Sequence, residues 1–236
     1  MDGTFVKTLA DLMRPEITEV NGIEFSNKTF APIFPPTAVT LSVHTLSAVV
    51  DYCEHELDPD QNYVVHVESF DLVSVYSQLE PIYRFREELL RCTMACDPFP
   101  FGKQIEAEQF VIKMQAQFVQ DDTTARILAL VGNLTSEAKT TVEDDGVTQR
   151  VSVRVGIAKT GDREVPNPVT LRPYRTFPEI QQPASEFVLR TFNGNSAALF
   201  EADGGAWKNE AIKSIAEWLC YELKERPITA KVVILA

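Results

Sequence analysis

The chain has 236 residues, 44% hydrophobic and 24% charged, with 22 basic against 34 acidic side chains and a net charge of −12. That is enough chain to bury a sizeable core, and its acidity disfavours non-specific DNA binding, which relies on Lys and Arg to neutralise phosphates. No run reaches the roughly 18 apolar residues of a membrane helix, and MDGTFVKTLADLMRPEI lacks the apolar region of a secretory signal, so a cytoplasmic protein without membrane contact is expected.

Residues 4–13 fit a short helix stopped by Arg14-Pro15. Asn21-Gly22, between short apolar alternations, predicts a hairpin turn, and Pro32, Pro35 and Pro36 stiffen the connection that follows. From Thr45 the period is helical, with Leu46, Val49, Val50, Cys53 and Leu57 on one stripe. Asn62 to Ser77 is rich in β-branched residues and reads as two strands meeting near Glu68–Asp71. Residues 82–96 are expected to continue the sheet, although the middle of the segment also fits a helix.

A second helix is predicted from about Lys103 to Val119, with Ala107, Val111, Met114 and Phe118 on one face. Asp121-Asp122 suits the start of a short third one, where a carboxylate caps free amides. Val147–Ala158 alternates as a strand, and Asp145-Gly146 supplies the turn joining it to residues 138–144. EFVLRTF and SAALFEA flank Asn193-Gly194-Asn195 as another hairpin. Asp203-Gly204-Gly205 opens the last helix, whose stripe is Ile212, Ile215, Leu219 and Leu223; Arg226-Pro227 closes it before a terminal strand, KVVILA. Helices separated by runs of strands point to an α+β fold. The expectation is one domain over residues 1–236, with a mainly antiparallel, hairpin-rich sheet, about four to five packed helices and a weak division near residues 120–135.

No motif here assigns a catalytic reaction. Four cysteines (Cys53, Cys92, Cys96 and Cys220) are too few and scattered for a disulfide framework. Cys53, His55, Cys92, Cys96 and His66 offer zinc-type ligands, but Cys53 and His55 lie roughly 200° apart on one helix and cannot share an ion. His44, His55 and His66 have no G-x-S-x-G elbow to serve. Phe101-Gly102-Lys103 lacks the upstream glycine and the following Ser or Thr of a phosphate loop, although Gly102 at a helix start could hold an anion. No cofactor, metal or catalytic residue is therefore assigned.

The distinctive stretch is TLRPYRTFPEIQQPASEFVLR, residues 170–190, with three arginines, three prolines and three aromatic rings in an acidic chain. Arginines among aromatics can grip a phosphate while stacking on a base, and proline lowers the ordering cost of such a loop. The candidate ligand residues are Arg150, Arg154, Arg172, Tyr174, Arg175 and Arg190. The competing reading is that these arginines pair with local acids and the stretch is a rigid connector with an anion-binding rim.

The order of elements resembles the YfdQ-like proteins, a family of unknown function encoded by tailed phages and prophages. The resemblance is carried by TLSAVVDYCEHEL, NYVVHVESFDLVSVYS, QIEAEQFVIKMQAQF, LALVGNL, VEDDGVTQRVSVRV and the V-P-x-P-V-x-L segment at Val165–Leu171. It covers roughly residues 40–225 in pattern more than in identity and carries no functional residue over, because no catalytic motif defines that family. It implies a phage accessory protein acting in the bacterial cytoplasm, of a kind encoded near recombination and nucleotide-metabolism genes. The expected function is a non-enzymatic binding protein that neutralises a host factor or sequesters a nucleotide-like ligand in counter-defence, and that forms a homo-oligomer through exposed strands. The alternative is an accessory to phage recombination or replication acting through protein contacts; the third is an enzyme of unidentified class.

Overall fold

The computed structural model describes residues 14–20, 23–26, 36–82, 84–135, 140–144, 149–154, 160–164, 167–192 and 195–236. The helix expected at 4–13, the turns at Asn21-Gly22, Asp145-Gly146 and Asn193-Gly194, and the ends of the strand expected at 147–158 lie outside the described residues.

By its contacts the chain forms two units. The smaller comprises Met1–Thr37 with Glu80–Phe85. In it β1 (Ile17–Val20) pairs antiparallel with β2 (Ile23–Ser26), Val20 opposite Ile23, the register of a two-residue hairpin. A turn at 80–85 is closed by the Phe85 carbonyl accepting from the Glu80 amide at 2.9 Å.

The larger unit, Ala38–Leu79 with Arg86–Ala236, holds two hydrophobic cores. The first lies between a five-stranded sheet and two helices. Its strands are β3 (Leu41–Val43), β4 (Asn62–Ser69), β5 (Leu72–Ser77), β6 (Glu88–Thr93) and the C-terminal β14 (Lys231–Leu235), in the order β14-β4-β5-β6-β3. Alternation sends Val65, Val67, Val73, Val75, Leu90 and Cys92 to one face, where all are buried. Against that face pack α1 (Leu46–His55), buried through the expected Leu46, Val49, Val50 and Cys53, and the long α4 (Trp207–Glu225), buried through Trp207, Ala211, Ile215 and Leu219. Thr45 caps α1, its hydroxyl accepting from the Ala48 amide at 3.3 Å.

The second core lies under a four-stranded antiparallel sheet, β11-β12-β13-β7. Its strands are β7 (Ile105–Glu106), β11 (Val169–Leu171), β12 (Ser185–Phe192) and β13 (Ser196–Glu201). α2 (Ala107–Gln117) and α3 (Asp122–Thr135) cover it, burying Phe110, Met114, Ile127 and Leu130 in one cluster with Phe118 and Phe99. A third sheet, β8 (Thr140–Asp144), β9 (Gln149–Arg154) and β10 (Thr160–Glu164), is an antiparallel meander in which Asp144 pairs with Gln149.

The fold is α+β as expected, with four helices among the described residues, and three expectations need correction. The β14–β4 and β3–β6 pairings are parallel, joins that leave no turn signal in the sequence because their strands are far apart in the chain. The second helix begins at Ala107, since Ile105 and Glu106 pair with Ala197 and Ser196 instead. Gly102 therefore stands in a turn at φ 71°, its amide given to the Leu199 carbonyl at 2.8 Å, and opens no helix. No described helix is long and apolar enough to cross a membrane.

Candidate functional site

The proline-rich stretch binds the two cores of the larger unit together. Its entry runs beside the end of α2: Val119 donates to the Arg172 carbonyl at 2.9 Å and Tyr174 donates to the Gln117 carbonyl at 2.8 Å. Phe177 and Ile180 then enter the first core, fully and nearly fully buried. The buried side chain of Gln182 ties this loop to itself. Its oxygen accepts from the amides of Arg175 at 3.1 Å and Thr176 at 3.4 Å, and its nitrogen donates to the carbonyls of Phe177, Thr176 and Ile180 at 3.0, 3.4 and 3.4 Å. Glu179 accepts from the Ser47 amide at 3.3 Å, in the first turn of α1. Upstream, the side chain of Asn167 bonds both the amide and the carbonyl of Leu189, at 3.1 and 3.3 Å, which fixes the start of β11 against β12.

The candidate ligand residues disperse. Arg172 donates to Asp121 at 3.2 Å beside the start of α3. Tyr174 is exposed, while its carbonyl accepts from the Cys96 thiol at 3.3 Å. Arg190 lies on β12 with the opposite parity to Ser185 and Phe187, and so on the other sheet face from Arg175's contacts. Arg150 and Arg154 lie in β9, Arg150 in register with Glu143 and Glu164 and Arg154 with Thr160; their side chains are outside what the structure describes.

Arg175 reaches a pocket. Its side chain is 6% exposed and both terminal nitrogens are used, one on Glu201 at 2.6 Å and the other on the Ser185 hydroxyl. The guanidinium carbon sits 3.7 Å from the Trp207 ring centroid, a close cation–π contact, with the Phe187 ring 5.5 Å away. Burial lowers the Arg175 pKa to about 10, against the opposing pull of Glu201 and Asp203, so the side chain remains cationic at neutral pH. The charge is thus held by protein groups, as the connector reading anticipates. Two donors are left over. Arg175 Nε and Trp207 Nε1 are both buried with no hydrogen-bond partner, a cost that native structures rarely carry without cause.

Both residues line a cavity of about 320 Å³ where the two cores meet. Phe70 and Asp71 reach it from the β4–β5 turn, Cys96 from the segment after β6, Phe101 from the segment before β7, and Lys208 from the first turn of α4. The ammonium of Lys208 lies 5.6 Å from the Phe70 ring centroid and 5.9 Å from that of Trp207. Asp203 accepts from the Gly205 amide at 3.0 Å within the turn that sets Trp207 and Lys208 in place, and Gly204 and Gly205 take φ values of 63° and 81° that only glycine tolerates well. Sequence patterning alone points to neither Trp207 nor Lys208. The available signal was a tryptophan two residues past an Asp-Gly-Gly turn, at the first position of the last helix.

The other sequence candidates take bland positions. Cys53 and Cys92 are buried, with burial lifting both thiols to about 12, whereas His55 and Cys96 are exposed. His66 is half-buried between Val65 and Val67, and His44 bonds the Thr93 carbonyl at 2.8 Å. No family model matches this chain, and neither a curated protein nor a solved structure matches it.

Proposed function

We propose that the protein is a non-enzymatic binding protein that takes a small, nucleotide-like ligand into the Arg175–Trp207 pocket, with sequestration of that ligand as its role in counter-defence. Phage or prophage origin rests on the sequence resemblance to the YfdQ-like proteins. The binding reading rests on one observation: two buried N–H donors, Arg175 Nε and Trp207 Nε1, lack acceptors beside a cavity rimmed by a lysine. An acceptor-bearing ligand would satisfy both and remove their desolvation cost. The volume, about 320 Å³, is at the small end for ligand pockets and suits one nucleotide unit. Arg175 and Lys208 are balanced there by Glu201 and Asp71, so a ligand with a single negative charge fits better than a polyphosphate.

The test is a thermal-shift series with cyclic mononucleotides, nucleoside mono- and triphosphates and orthophosphate, on the wild type and on Lys208→Ala. Lys208 is exposed, so its removal leaves folding intact. At about 100-fold excess over Kd a bound ligand stabilises by about 2.7 kcal/mol, roughly 5–10 °C in Tm for a chain of this size. Cyclic mononucleotides are expected to shift the wild type most, and Lys208→Ala to lose most of the shift. No shift across the series, or an equal shift in the variant, overturns the reading.

A further inference from the structure

We infer that β14 is a self-pairing edge, and that two copies of the chain join through it into one continuous sheet, away from the Arg175–Trp207 pocket residues. A sheet edge presents a row of unpaired N–H and C=O groups, which proteins normally shield by shortness, charge or proline. The other described edges are shielded in those ways. β3 has three residues and β7 two, and β11 has three between Pro168 and Pro173. β8 and β10 carry Glu143, Asp144, Asp162, Arg163 and Glu164, while β1 and β2 carry Glu19 and Glu24. β14 carries Val-Val-Ile-Leu with one charge, Lys231, at its start.

Apolar surface flanks this edge on both sides. Val233 and Leu235 are 45% and 50% exposed on the side away from the helices. On the helix side a groove of about 600 Å³ runs between α4 and β14, floored by Ile212, Ala216, Cys220 and Ile234 and rimmed by Lys213 and Glu217. The occupant is identified by charge. Around a two-fold axis β14 pairs antiparallel with its copy, and the two α4 helices also run antiparallel. Lys213 and Glu217, four residues apart and 77% and 68% exposed, then each face the opposite charge on the second copy. Ala216, between them, lets the helices approach. α4 rests on β4 and β14, so the two helices come to lie about two strand spacings apart, about 10 Å, a normal helix-packing distance.

Sedimentation equilibrium on the full chain tests this with the two charge reversals Lys213→Glu and Glu217→Lys. The wild type is expected at twice 26.5 kDa. Each variant alone places like charges across the axis at two symmetric points and is expected to raise the dimer Kd by roughly tenfold or more, with circular dichroism unchanged. An equimolar mixture of the two variants is expected to restore the dimer, because each copy then meets the opposite charge on the other. Effects confined to the helix within one chain cannot produce that rescue. A wild type that stays at 26.5 kDa, as when the edge is covered by a strand from another protein, overturns the proposal. So do variants that remain dimeric alone, or a mixture that fails to recover.

Discussion

Gln182 and Arg175 show how much a single buried polar side chain organises here. The Gln182 amide serves two backbone N–H groups and three carbonyls of the loop it closes. These groups have no strand or helix to pair with, and buried backbone groups left open cost about 1–3 kcal/mol each. Gln182→Ala is accordingly expected to destabilise by about 3 kcal/mol, read as a lower urea midpoint with an unchanged slope. A change below about 0.5 kcal/mol would mean that water replaces the side chain without loss. Arg175 works the other way. It is a cation held in place by Glu201, Ser185 and Trp207, and its burial is tolerated because these partners surround it.

At the level of elements, the start of α3 is coupled to the proline-rich stretch through one carboxylate. Asp121 accepts from the Thr124 amide at 2.9 Å as an N-cap and from Arg172 at 3.2 Å. Burial pushes its pKa up, but the Thr124 amide, Arg172 and the Thr124 hydroxyl outweigh that and hold it below the usual range. Asp121→Ala removes both functions and is expected to cost about 1.5 kcal/mol. Asp121→Asn keeps a capping oxygen and loses only the half-exposed ion pair, for about 0.5 kcal/mol. Equal losses in urea denaturation would show that the ion pair, and not the cap, carries the effect. The charge of Arg172 is engaged at this strand-to-helix junction.

For the whole molecule, three carboxylates among the described residues bear on the acid limit. Pairing with Arg91, aided by Ser74, holds Glu88 low. Asp121 is held low as above. In Asp203 burial is outweighed by the Gly205 amide, Ser185 and Arg175. Each binds its proton less readily folded than unfolded, so the unfolded chain takes up protons first as pH falls. The stability they confer is full above the ordinary carboxylate range near about pH 4 and is lost as pH drops through their lower folded values. Between pH 7 and 5 the fall in net negative charge, from −12, acts in the opposite, mildly stabilising sense. Urea midpoints are therefore expected to hold or rise slightly from pH 7 to 5 and to fall clearly by pH 3. A flat profile down to pH 3 would contradict this.

The amino-acid pattern by itself determined what is local. The stripe Leu46, Val49, Val50, Cys53 is buried as its period requires; the hairpins β4–β5 and β12–β13 form where expected; Asp121 sits where a helix start needs an acceptor, and Asp203 accepts from Gly205 in the turn before the last helix. These features depend on hydrogen bonds and faces within a few residues, so periodicity and turn chemistry suffice to read them. Tertiary structure alone decided the two parallel joins, the capture of Ile105 and Glu106 by β13 and the separation of the arginines. It also decided the pocket. Arg172, Arg175 and Arg190 look alike in a stretch of 21 residues, yet one pairs with Asp121, one is buried against Trp207 and one lies on the other face of β12. Alternation fixes which side of a strand a residue takes, but what lies opposite that side comes from segments far away in the chain. The groups that meet a side chain there decide whether its charge is spent on the fold or left for a ligand.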